Sequence, residues 1–193
     1  MLPYIDIPLQ HISDNVLKSM YRRSRKEQII GLIGTLRKEI PNITIRSTFM
    51  VGFPGESKED FEELCDFIKE YKLNNVGFFK YSREEGTPSY SFEGQIPEKE
   101  KDRRLKTIES LQEKVAEENN LALVGTTCKV LVDSFDREHK FFVGRSYRDA
   151  PDIDFEVLFI SSYAVQIGSF VDVDLLDYSQ GYFIGKTDKR TTY

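Results

Sequence analysis

The stretch Ile43-Thr44-Ile45-Arg46-Ser47-Thr48-Phe49-Met50-Val51-Gly52-Phe53-Pro54-Gly55-Glu56-Ser57 decides the fold. Ile43 to Val51 is rich in β-branched side chains and reads as a strand, and Gly52 to Glu56 has the glycines and proline of a tight turn. Ser57 has the chemistry of a helix N-cap, and Phe61, Leu64, Cys65, Ile68 and Tyr71 follow it at helical spacing. Strand, turn and amphipathic helix in that order make a βα unit, the building block of parallel sheets and barrels. Cys65 falls on the inward stripe and reads as core.

Working outward, the same alternation appears on both sides. Upstream, Tyr4 to Leu9 is a short strand whose regular part Pro3 and Pro8 confine to Tyr4–Ile7. Ser13 is expected to cap a helix carrying Val16, Leu17 and Met20. Gln28 to Ile40 then places Ile29, Ile33, Leu36 and Ile40 at helical spacing, ended by Pro41-Asn42. Downstream, Asn75 to Tyr81 is a third strand, running into a polar loop with Gly86-Thr87-Pro88. Pro97 opens a long helix with Leu105, Ile108, Leu111, Val115 and Ala122 on one stripe and mixed-sign charge elsewhere, a solvated face.

After Gly125 the pattern changes to period two, with strands expected at Thr127–Asp133, Lys140–Tyr147, Ile153–Ser161, Phe170–Leu176 and Tyr182–Lys186. The fold class read from this is α/β: residues 1–123 form the C-terminal half of a partial (βα) barrel with a linker helix, and residues 124–193 a small antiparallel β-barrel of the OB-like kind. Three parallel strands alone would leave two edges and an apolar inner face open, so further βα units are expected before Met1.

Composition narrows the function. Of 193 residues, 39% are apolar and 31% charged, which excludes disorder, and no apolar run is long enough to span a membrane. The N-terminus lacks the features of a signal peptide, so a cytoplasmic setting is expected. A net charge of -5 leaves no strongly basic surface for nucleic acid. Cys65 and Cys128 are the only cysteines, too few for a disulfide framework or a cysteine-built metal site.

Chemistry in parallel barrels sits beyond the carboxyl ends of the strands. Three segments qualify: Gln10 to Ser13, Gly52 to Glu56, and Ser82 to Pro88. Two glycines around a proline could let backbone approach a ligand at a helix N-terminus, or could simply make a βα turn. Arg46 either faces the barrel mouth, where a cofactor or substrate carboxylate would pair with it, or is paired structurally with an acid such as Asp6. Tyr81 could lie over a ring or pack at a strand end. His11, with no acid or cysteine at metal spacing, reads as a polar loop histidine, and His139 as a surface one. Arg22, Arg23, Arg25 and Lys26 could bind phosphate or could be a solvated helix junction.

Taken together, Pro8-Leu9-Gln10-His11-Ile12-Ser13-Asp14 with Val16-Leu17-Lys18-Ser19-Met20 and Arg22-Arg23 resembles the P-L-Q-x-x-S-D-x-V-L-x-x-M-x-R stretch of the radical SAM methylthiotransferases. Arg46 to Glu56 and Tyr81 to Pro88 follow in the family's order and spacing, and the tail resembles a TRAM domain. The resemblance implies S-adenosylmethionine, two 4Fe-4S clusters, and insertion of sulfur and a methyl group at an unactivated C–H. It places Gln10 and Ser13 near the cofactor ribose, Arg46 near a carboxylate or the substrate, Gly52, Phe53, Pro54, Gly55 and Glu56 along the adenosine, and Tyr81 beside them. The family's C-x-x-x-C-x-x-C triplet and its further cluster cysteines are absent, so metal ligands and catalytic residues are expected in a missing N-terminal half.

The tail bears on the substrate. Between Val124 and Tyr193 eleven acids stand against eight bases, which suits a phosphate backbone poorly. Gly144 to Asp154 is similar to the signature of the branch that methylthiolates an aspartate of a small-subunit ribosomal protein. By that resemblance Arg145, Tyr147, Asp149, Asp152 and Asp154 would face the substrate. The alternatives are the branch acting on tRNA adenosine and a non-catalytic TRAM docking module.

Overall fold

The computed structural model describes residues 2–150 and 153–188. They divide into two compact units, one spanning Pro3–Ala116 and the other starting at Glu117. None of the described helices is long and apolar enough to cross a membrane.

The first unit runs β1 (Tyr4–Gln10), α1 (Asp14–Ser19), α2 (Lys26–Glu39), β2 (Thr44–Val51), α3 (Lys58–Tyr71), β3 (Asn75–Lys80), a 3-10 turn at Pro88–Ser91 and α4 (Glu98–Leu121), which continues into the second unit. The three strands form a parallel sheet in the order β1-β2-β3. Ile45, Phe49 and Val51 turn one face toward Ile33, Leu64, Ile68 and Ile108, all buried. The expected stripe of α3 is there, widened by Phe67, whose ring stacks on Tyr71 with centroids 4.8 Å apart. On the stripe of α2, Ile29 and Ile33 are buried, while Ile40 lies past the helix end and is exposed. Cys65 is core, as expected, and burial pushes its thiol up to about 11.

Strand β1 runs to Gln10 and its regular pairing ends at Ile7 as expected, a bulge between Ile7 and Gln10 absorbing Pro8. The Ser47 hydroxyl bridges the irregularity, donating to the Ile7 carbonyl at 2.8 Å and accepting from the Leu9 N–H at 3.4 Å. One expectation for this sheet needs correction: the face opposite the helices is mixed rather than apolar, because strand register sets Asp6, Arg46 and Asn75 side by side on it.

The second unit is a closed barrel in the order β4-β5-β6-β8-β7, from β4 (Thr127–Asp136), β5 (Phe141–Arg145), β6 (Glu156–Ser161), β7 (Phe170–Ser179) and β8 (Tyr182–Thr187). All five expected strands are present with shifted ends. It is not purely antiparallel: β6 and β8 pair in parallel, from Glu156 against Tyr182 to Ser161 against Thr187. The interior is Val130, Val132, Val157, Phe159, Val173, Leu175 and Phe183. Bulges between Val132 and Ser134 and between Leu175 and Asp177 supply curvature. Gly144 sits where the chain crowds itself, since a Cβ there would lie 2.4 Å from the Leu131 carbonyl oxygen.

Candidate functional site

The strand ends of the first unit gather the Gln10–Ser13 segment, the Gly52–Glu56 turn and the loop after β3. Glu56 organises the turn. Its Oε2 accepts the Gly52 N–H and, at 3.1 Å, the Phe53 N–H, and its Oε1 accepts from Arg104 Nη1 at 2.8 Å. Arg104, on α4, also donates to the carbonyls of Glu56 and Ser57 at 3.0 and 3.3 Å and to Glu100 at 3.0 Å. Both members of the pair are buried. Burial raises the pKa of Glu56, with Arg104 and the two N–H groups pulling the other way. Glu56 therefore shapes the turn from behind, and the first two N–H groups of the turn are already spent on it.

Gly52 is at φ +76°, and a Cβ there would stand 2.5 Å from Lys101 Cγ. Lys101 cannot retreat easily: its buried ammonium donates to the Tyr81 carbonyl at 3.0 Å and to Glu98 at 2.7 Å, and lies 5.1 Å from the centre of the Tyr81 ring. Gly55 N–H donates to the Gly94 carbonyl at 3.0 Å, tying the turn to the loop after β3. Tyr81 is buried with its ring edge-on to Phe53 at 5.3 Å. Packing, rather than an exposed platform, is its observed environment.

The segment after β1 is equally enclosed. His11 is fully buried, which overturns its reading as a polar loop residue. Its Nδ1 accepts the Ser13 N–H at 3.0 Å, so in the neutral ring the proton sits on Nε2, which has no partner among the described residues. Burial, opposed by Asp60 and assisted by Arg104, lowers its pKa to about 4. The Ser13 hydroxyl donates to Asp60 Oδ1 at 2.5 Å instead of capping α1. Asp60 Oδ2 also accepts the Ser57 N–H at 2.8 Å and the Asn15 amide at 3.2 Å. Burial works against the Asp60 charge, yet these donors outweigh it and lower its pKa. One carboxylate thus clamps the β1 exit onto the start of α3.

Arg46 pairs with Asp6 at 3.2 Å, the structural alternative left open by the sequence, and its side chain is 17% exposed. Gln10 keeps a left-handed backbone at φ 72° and lines a groove of about 300 Å³ with Met20, Tyr21, Met50, Phe53 and Phe92. Larger depressions of about 500 and 480 Å³ lie along α2 and α3 and at the outer side of β1. The groove is the one at the strand ends.

In the barrel unit, Arg145 pairs with Asp133, the extra residue of the β4 bulge, at 2.6 Å. Asp149 is buried and accepts from the Ser146 hydroxyl at 2.6 Å and N–H at 3.1 Å, and burial raises its pKa. Asp154 accepts the Ala150 N–H at 2.8 Å. These two acids shape their own loop, which is why β6 starts at Glu156 and not at Ile153. Tyr147 is half-buried, and Asp152 lies outside the described residues.

Sequence reasoning missed Asp60, Lys101 and Arg104. Asp60 was findable, because Ser57-x-x-Asp60 is a capping box. Lys101 and Arg104 were hidden in a helix dense with both signs of charge.

Residues 2–68 match the radical SAM superfamily and residues 124–187 the TRAM domain. The chain thus carries a radical SAM superfamily segment followed by a TRAM domain. Its relatives include proteins named ribosomal protein uS12 methylthiotransferase RimO. That of Clostridium acetobutylicum is 42% identical over 94% of this chain and 40% of its own length. That of Clostridium perfringens (strain ATCC 13124) is 55% identical over 78% and 34%, and that of Pelobacter propionicus 42% identical over 97% and 42%. The chain spans about two fifths of the length of these relatives.

Proposed function

We propose that the chain is the C-terminal part of an enzyme that methylthiolates the β-carbon of an aspartate in the small-subunit ribosomal protein uS12, in the cytoplasm. The supporting observation is continuous likeness to the uS12 methylthiotransferases across 94% of the chain, through both units. The acidic tail agrees with a protein substrate rather than tRNA.

The residues present accommodate one implied cofactor and not the other. Among the described residues no group of three or more His, Cys, Asp or Glu could hold a metal, and Cys65 is core, so the residues present do not fit a 4Fe-4S cluster. S-adenosylmethionine would lie at the strand ends, where the groove sets the Gln10 amide, Ser19, Ser89 and Arg22 among apolar and aromatic side chains. When bound it supplies the radical that removes hydrogen from an unactivated carbon, and the protein orients and shields it. Gln10 would offer its amide, and Phe53 its ring, to the nucleoside. Gly52, Pro54 and Gly55 would set the backbone against it. Ser13 and Glu56 act one layer back, as positioning residues, through Asp60 and Arg104. Arg46 keeps Asp6 as its partner until an incoming carboxylate competes for it, and Tyr81 supports Phe53.

The test is a chimera joining the N-terminal three fifths of the Clostridium acetobutylicum relative to this chain, reconstituted anaerobically and given uS12. A methylthio mass gain on one aspartate is expected. Modification of tRNA and not of uS12 would overturn the assignment.

A further inference from the structure

The chain is acidic overall, but its bases are unevenly placed. Lys18-Ser19-Met20-Tyr21-Arg22-Arg23-Ser24-Arg25-Lys26 holds five bases and no acid, and no other nine-residue stretch of the sequence does so. The stretch is the junction between the end of α1 and the first residue of α2. Backbone bonds fold it tightly: the Tyr21 N–H donates to the Lys18 carbonyl at 3.0 Å and the Arg22 N–H to the Leu17 carbonyl at 2.8 Å. The Arg25 guanidinium turns back over it, donating to the carbonyls of Arg22 and Ser24 at 3.0 and 3.1 Å.

Elsewhere acids neutralise cations, as Asp6 does Arg46, Glu56 does Arg104 and Glu62 does Lys58. At the junction only Lys26 is matched, by Glu63 at 2.7 Å, and Asp14 is committed to the Lys26 N–H. Lys18, Arg22, Arg23 and Arg25 make no ion pair among the described residues, and the first three are exposed. Arg25 and Lys26 stand at the N-cap and first position of α2, the positive end of the helix dipole, where cations are unfavourable and anions are drawn in. A solvated charge run does not account for that placement, whereas a bound polyanion offsets it. Arg22 also lines the groove at the strand ends, so the patch borders the candidate site.

We infer that this junction grips the phosphate backbone of RNA and, resting on the function proposed above, that uS12 is modified in its RNA-bound form within the small ribosomal subunit. Arginine forks match phosphate oxygens in pairs, and a lysine adds a point charge. The two signs of charge on the chain suit a particle made of both polymers. The acid-rich barrel unit favours basic protein and repels RNA, while the junction attracts RNA locally. A phosphate held beside the strand ends orients the substrate through a contact outside the modified protein.

The test is co-sedimentation of the full chain with purified small ribosomal subunits and with protein-free ribosomal RNA over a range of salt, against the double variant Lys18→Gln/Arg23→Gln. Both residues are exposed and neither lines the cofactor groove, so fold and cofactor contacts are kept. The expected result is binding to both that weakens with salt, with a log–log slope smaller by about 2 in the variant, roughly one for each lost phosphate contact. No binding, binding indifferent to salt or to the two substitutions, or a loss seen with subunits and not with bare RNA, which would assign the junction to an acidic protein, would each overturn the inference. The chimera should modify uS12 faster in subunits than free, and the double variant should remove that advantage while leaving the rate on free uS12 unchanged. Equal effects on both forms would overturn it too. Modification of free uS12 by a chimera whose chain binds no RNA keeps the function and removes the RNA contact; RNA binding through the junction with no modification does the reverse.

Discussion

Arg104 donates to Glu56 at 2.8 Å with both side chains buried, and Glu56 passes the constraint on to the N–H groups of Gly52 and Phe53. A residue of α4 thereby fixes the geometry of a turn at the far end of β2. Removing one member strands the other as an unpaired buried charge, which typically costs about 3 kcal/mol or more. Arg104→Met should lower unfolding stability by that order in urea titrations. The double change with Glu56→Gln should recover a substantial part, since it leaves no lone charge and its amide oxygen still accepts the Gly52 and Phe53 N–H groups; additive losses would show that the two do not work as a pair.

The two glycines of the turn are expected to respond differently. Gly52→Ala meets both a left-handed backbone and Lys101, whereas Gly55→Ala, at φ +81°, meets no atom within 4 Å of the new Cβ. The second should cost about 1 kcal/mol from backbone strain, and the first distinctly more. Thermal unfolding of the two variants side by side checks the order.

His11 makes stability depend on pH. Its folded pKa of about 4 lies below the ordinary 6.5, so between those values the unfolded chain binds the extra proton. Stability should therefore fall as pH drops from about 6.5 toward 4, by about 3 kcal/mol for this group alone, and level off below. A His11→Gln variant should lack that component, visible as a shallower slope of unfolding free energy against pH in the same window.

Iron should not bind stoichiometrically. After anaerobic reconstitution and desalting, iron and sulfide analysis of the chain should find no cluster, because burial holds the thiols of Cys65 and Cys128 up at about 11 each.

Strands β1 and β3 are both edges of the three-stranded sheet. Sedimentation velocity should show association rising with protein concentration, as unpaired edges recruit one another. A single monomeric boundary at high concentration would contradict this.

Much of this architecture was legible because its signals are local. Ser57 and the stripe from Phe61 to Ile68 specify α3 without reference to anything distant. The five barrel strands showed in period-two alternation, but alternation carries no direction, so the parallel pairing of β6 with β8 was invisible. The bulge at Pro8 is bridged by Ser47, thirty-eight positions from the Leu9 it satisfies, a pairing no local signal announces. The site was legible as three strand-end segments and illegible in its polarity. Whether Glu56 faces ligand or frame depends on Arg104, and whether Ser13 caps a helix or binds Asp60 depends on α3.

The place of β8 in the barrel also sets an order of events during synthesis. It is the seam between β6 and β7, pairing with one in parallel and the other in antiparallel fashion. Until Tyr182–Thr187 has left the ribosome, β6 lacks one neighbour and the interior around Phe159 has no lid. The nascent barrel must wait as an open sheet whose closing contact reaches far back along the chain, a topology that folds slowly and late.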